Sequence, residues 1–134
     1  MLAGDWREVN IKRLQSTIEQ ASKHAKQVVV FGPRPVFEVS PYKAAETITS
    51  IKQLNEVSNK TVNIKAELSK TMEQVTLENG ATFFNMSSIQ CPNEFCEVVR
   101  DNEMLYSDTH HFSPAGAAFF GRAIKRDFQK HFSE

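Results

Sequence analysis

A chain of 134 residues suffices for one domain around one core. Lys plus Arg and Asp plus Glu both number 16, so the formal charge is zero, and the basic side chains are scattered instead of forming a stripe, which excludes nucleic acid as an expected partner. The longest apolar run, Val28 to Phe31, is far short of the roughly 20 residues a membrane-spanning helix needs, and Met1 to Asn10 lacks the basic and apolar regions of a signal peptide.

Leu2 and Ala3 look like the stub of a strand. Ile11, Leu14, Ile18, Ala21 and Ala25 then recur at the three-and-four spacing of an amphipathic helix, which should stop near Lys26. Val28 to Phe31 is a continuous run closed by Gly32, Pro33 and Pro35 and predicts a short buried strand. Val36 to Tyr42 is irregular, and from Lys43 a weak helical pattern returns through Ile48, Ile51 and Leu54. A further helix is expected over Asn63 to Glu78, with Ile64, Leu68, Met72 and Val75 on one face and Asn79-Gly80 as its stop. Ala81 to Met86 predicts a second strand. Ser113 is placed as the N-cap of a final helix, with Pro114 at the first position and Ala117, Phe120, Ile124 and Phe128 as the buried stripe.

This alternation predicts an α/β fold, a parallel sheet with helices on both faces. In such sheets ligands bind beyond the carboxyl ends of the strands, so the loops at Asp5 to Trp6, Gly32 to Pro41 and Ser87 to His111 are expected to share one rim.

The stretch YSDTHHFSPAGAAFFG, Tyr106 to Gly121, carries the chemistry. An acid and a histidine three positions apart on a tight loop can face each other. Asp108 would then accept from Nδ1–H of His111 and fix its tautomer, leaving Nε2 outward as a general base. The plain alternative makes Asp108 a turn residue and His111 a histidine beside a helix start. Ser113 is better explained as a cap than as a nucleophile. The two cysteines of CPNEFC, Cys91 and Cys96, are open to three readings: reduced thiols, a local disulfide, or half of a zinc site with His110 and His111. Adjacent histidines rarely point at one ion, so no metal is expected, and no cofactor.

CPNEFC, a spacer, LYSDTHHFSPAGA and a small-residue helix together resemble the C-terminal block of SGNH hydrolase domains, whose D-x-x-H motif supplies the triad Asp and His. More narrowly, the block is similar to SGNH domains fused behind acyltransferase family 3 membrane domains. The matching residues are Cys91, Pro92, Cys96, Leu105, Tyr106, Asp108, His111, Ser113, Gly116 and Ala117, with Phe112 where Leu is usual. VVVFGPRPVF and LAGDW resemble upstream strand ends of the same family.

The resemblance implies a three-layer, flavodoxin-like architecture and a Cys91–Cys96 disulfide. It also implies Asp108 and His111 as catalytic residues, with Gly4, Trp6 and Pro33 contacting substrate. The Gly-Asp-Ser nucleophile element of SGNH enzymes does not occur; Gly4-Asp5-Trp6 has Trp in the Ser position. Residues 1–134 are therefore expected to be the C-terminal portion of one such domain, inactive alone, with an exposed sheet edge open to self-association. The implied parent is a periplasmic O-acyltransferase, tethered to the inner membrane, with a glycan acceptor, an acyl donor and a membrane acyltransferase domain as partners. The competing expectations are a free-standing SGNH carbohydrate esterase and a non-catalytic glycan-binding module using Trp6, Tyr42 and Phe37.

Overall fold

The computed structural model describes residues 7–132. The Leu2–Ala3 strand stub, Gly4 and Trp6 lie outside them. Among the described residues two compact units are present, one from residues 7–34 and 65–87, the other from residues 35–64 and 88–132.

In the first unit, helix α1 (Glu8–Ser22) buries Leu14 and Ile18. Strand β1 (Val29–Phe31) pairs in parallel with β2 (Thr82–Phe84), Val30 opposite Phe83, and helix α4 (Ala66–Glu78) packs on α1 and β2. Leu14, Ile18, Val28, Val30, Met72 and Phe83 form its core, and each such side chain contributes about 1.5–3 kcal/mol by leaving water. The stop expected at Asn79-Gly80 is there. Gly80 adopts φ +72°, its N–H bonds Leu77 O at 3.1 Å and that of Ala81 bonds Thr76 O at 3.1 Å, the paired bonds of a Schellman end.

In the second unit, α2 (Pro41–Ala44) and α3 (Ile51–Thr61) replace the weak helical pattern after Lys43. Ser50 separates them because its hydroxyl caps Gln53 N–H at 3.4 Å. A 3-10 turn (Pro92–Glu94) leads to a ribbon, β3 (Val99–Arg100) against β4 (Glu103–Met104). Helix α6 (Pro114–Phe132) ends the described chain. Its core gathers Phe37, Leu54, Val98, Leu105, Tyr106 and Phe120.

Three expectations are corrected and one element is added. The helix expected from Asn63 begins at Ala66, because Asn63 pairs with Val36 in an isolated bridge and Lys65 turns left-handed at φ 54°. The strand expected to reach Met86 ends at Phe84, and Met86 opens the short helix α5 (Met86–Gln90). The ribbon is an addition, turned by Asp101 and Asn102 at φ 52° and 61°, the two left-handed positions of a type I′ turn. In α6 the buried face runs through Gly116 and Phe120, while Ala117 is exposed. Phe37, one of the rings named for a glycan-binding module, is 1% exposed and belongs to the core, the better expectation for any single aromatic.

The observed class is thus mixed α/β with a small parallel sheet. No described helix is long and apolar enough to cross a membrane.

Candidate active site

The segment from Tyr106 to Ser113 is held at both ends. Tyr106 is fully buried, its ring 4.9 Å from that of Phe37 and 5.8 Å from that of Phe120, and its hydroxyl donates to Gln90 Oε1 at 3.3 Å. Burial pushes that hydroxyl's pKa above its ordinary value. At the other end, Ser113 N–H bonds Leu105 O at 3.1 Å, while Ser113 Oγ accepts Gly116 N–H at 3.0 Å and donates to Met104 O. The Ser113 hydroxyl is therefore a helix cap tied to β4, as its place before Pro114 predicts.

Between these anchors the chain closes on itself. Ser107 N–H bonds His111 O at 2.9 Å, and the Ser107 hydroxyl lies 3.3 Å from the same oxygen. The crown is pinned from outside, since Phe37 N–H donates to Thr109 O at 2.8 Å.

Asp108 organises the interior of the loop. Its Oδ1 accepts the N–H groups of His110 at 2.8 Å and His111 at 2.7 Å. Its Oδ2 lies 2.6 Å from His111 Nδ1. The two backbone N–H groups, that of His110 foremost, and then the His111 ring hold the carboxyl well below the usual carboxylate range. An ionised Asp108 fixes the proton of a neutral His111 on Nδ1. Nε2 has no hydrogen-bond partner among the described residues, and the side chain is 54% exposed.

His110 stands beside this pair, its ring centroid 4.0 Å from that of His111 and its Nδ1 3.0 Å from Thr109 Oγ1. Cys91 and Cys96 are joined in a disulfide, which settles their three readings and removes them as metal ligands. Pro33, at the carboxyl end of β1, is buried, and its carbonyl accepts from Ser87 Oγ at 3.0 Å beyond the end of β2. Sequence reasoning did not single out Thr109 or Phe37 as supports of the loop, because a backbone bond between distant segments leaves no mark on residue type.

A family described as the SGNH domain fused to AT3 domains matches residues 2–126. No curated protein and no solved structure matches the chain. With nearly all of its length covered, the chain belongs to the SGNH domains fused to AT3 domains.

Proposed function

We propose that this chain supplies the Asp-His half of a Ser-His-Asp relay in a periplasmic O-acyltransferase acting on hydroxyls of a cell-envelope glycan. The observation that carries the reading is the 2.6 Å contact between Asp108 Oδ2 and His111 Nδ1, made while Oδ1 is occupied by two backbone N–H groups. Such a carboxylate cannot rotate away from the imidazole without losing all three bonds.

In this reading His111 Nε2 takes the proton of a serine hydroxyl as that oxygen attacks the carbonyl of an acyl donor, then returns it to the departing group. The same nitrogen next takes the proton of a glycan hydroxyl, which attacks the acyl-serine and regenerates the free serine. Asp108 orients the ring and stabilises the imidazolium formed in each half. The serine would come from outside these 134 residues, since the sequence holds no Gly-Asp-Ser element. β1 and β2 would then be middle strands of a larger sheet in a three-layer domain, and Gly4, Trp6 and Pro33 would contact the substrate. The membrane acyltransferase domain of the parent would deliver the acyl group and tether the domain to the inner membrane. Fusion to AT3 domains supports transfer over hydrolysis by a free-standing esterase.

The test has two arms. The isolated chain should hydrolyse p-nitrophenyl acetate no faster than its His111→Ala variant. In cells expressing the parent gene, His111→Ala should lower glycan acylation by roughly 10³-fold or more at unchanged protein level, because the members of a relay act as a unit. Turnover by the isolated chain that depends on His111 would place the nucleophile within it. Acylation that survives His111→Ala would remove the relay.

A further inference from the structure

His110 has no part in the relay, yet its ring stands against that of His111. In an extended segment, adjacent side chains point to opposite sides. Here both residues donate their N–H groups to one carboxylate oxygen, which curls the backbone around Asp108 and brings the two imidazoles to the same side, their planes 39° apart. One ligand atom from each of Asp108, His110 and His111 lies within 4.8 Å of the others, in the sole cluster of this kind among the described residues.

We propose that Asp108, His110 and His111 form a divalent transition-metal site of the zinc class, whose occupation switches the relay off. Two imidazoles and one carboxylate are a borderline donor set suited to Zn²⁺, with a fourth position left for water. Bonds of 2.0–2.2 Å in tetrahedral array set donor atoms roughly 3.3 Å apart. Side-chain rotations reach that spacing at the cost of bonds Asp108 makes within the loop, and the side chains have room for them, being 48%, 34% and 54% exposed for Asp108, His110 and His111. Binding through either nitrogen of His111 takes the Nε2 lone pair out of proton transfer, directly at Nε2 or, at Nδ1, by leaving the ring proton on Nε2. Metal occupation and base action at His111 exclude each other, which makes the ion an inhibitor and not a cofactor.

The disulfide leaves no free cysteine among the described residues to compete for zinc. The experiment is a calorimetric ZnCl₂ titration of the untagged, oxidised 134-residue chain, with ¹H–¹⁵N spectra of its four imidazoles. The expected result is one ion per chain and shifts at His110 and His111, with His24 and His131 unmoved. Replacing one ligand, by His110→Ala or the isosteric Asp108→Asn, should weaken binding by about tenfold or more. A His24→Ala/His131→Ala double variant should bind as the parent does, and circular dichroism checks that every variant is folded. The site is overturned by an absence of saturable binding, by shifts at His24 or His131 alone, or by an affinity unchanged in folded His110→Ala. That failure leaves the relay standing, because His110 plays no part in it.

Discussion

Asn59 on α3 holds both backbone groups of Cys96: its Oδ1 accepts Cys96 N–H at 2.7 Å and its Nδ2 donates to Cys96 O at 2.8 Å. One turn earlier Asn55 Oδ1 accepts Val98 N–H at 2.8 Å. Two amides spaced i and i+4 on one helix face thus serve as hydrogen-bond partners for the stretch that leads into β3. They fix the path from the disulfide into the ribbon. Asn59→Ala leaves the N–H and C=O of a fully buried Cys96 unpaired, and at about 1–3 kcal/mol for each orphaned group the loss should be roughly 2–5 kcal/mol. Urea denaturation checks this, with Asn59→Asp, which keeps the acceptor, expected to cost less.

Two glycines of α6 should respond to alanine with opposite signs. A Cβ on Gly116 would stand 1.8 Å from Leu105 O, a backbone atom that cannot rotate aside. Gly116→Ala must push the helix start off the strand that launches the Asp108 loop, at about 3 kcal/mol or more of stability. A Cβ on Gly121 meets nothing within 4 Å. Gly121→Ala should therefore raise stability by about 0.5–1 kcal/mol through helix propensity alone. Thermal melts of the two variants decide both.

The parts of the fold carried by local residue chemistry were legible. Ser113-Pro114 marks a helix start, Asn79-Gly80 a helix end, and Asp108 and His111 a spacing that a tight loop closes. Elements fixed by distant partners were not. The β3–β4 ribbon has two residues on each side of its turn, too few for any periodicity, and Asp101-Asn102 is a weaker signal than a glycine-bearing turn. The bonds of Asn55 and Asn59 reach 43 and 37 positions along the chain. In the stripe of α6 only the first position was misplaced, Ala117 for Gly116, because a hydrophobic pattern ignores the glycine that makes the close approach, while Phe120 is buried as expected. CPNEFC left three readings open on spacing, and the resemblance pointed to the disulfide before the structure showed it.

Self-association is the expected consequence of the open edges of the small parallel sheet. β1 pairs with β2, and neither has a second strand partner among the described residues. Open strand edges are templates for further pairing. Light scattering of the isolated chain should show mass rising with concentration, and the rise should be reduced by a lysine at the half-buried Thr82 of β2. A monomer of constant mass would count against the larger sheet proposed for the parent.

Acid should separate Asp108 from an ordinary surface carboxylate. Its folded pKa is depressed, chiefly by the His110 N–H and then by the His111 N–H and ring, against an unfolded value of about 3.9. A depressed value means that the ionised group contributes stability in full above the unfolded pKa and loses it as pH falls through the folded one. Wild type should therefore exceed Asp108→Asn in stability from about pH 5 upward, the gap closing as the solution is taken well below the unfolded pKa of about 3.9. The side chain is 48% exposed, so solvent screening keeps the gap modest. The direct measurement is the ¹³C shift of the Asp108 carboxyl against pH, which should stay flat through pH 4. A midpoint near 4 would mean that the two backbone N–H bonds do not persist in solution, and the orientation of His111 would lose its support.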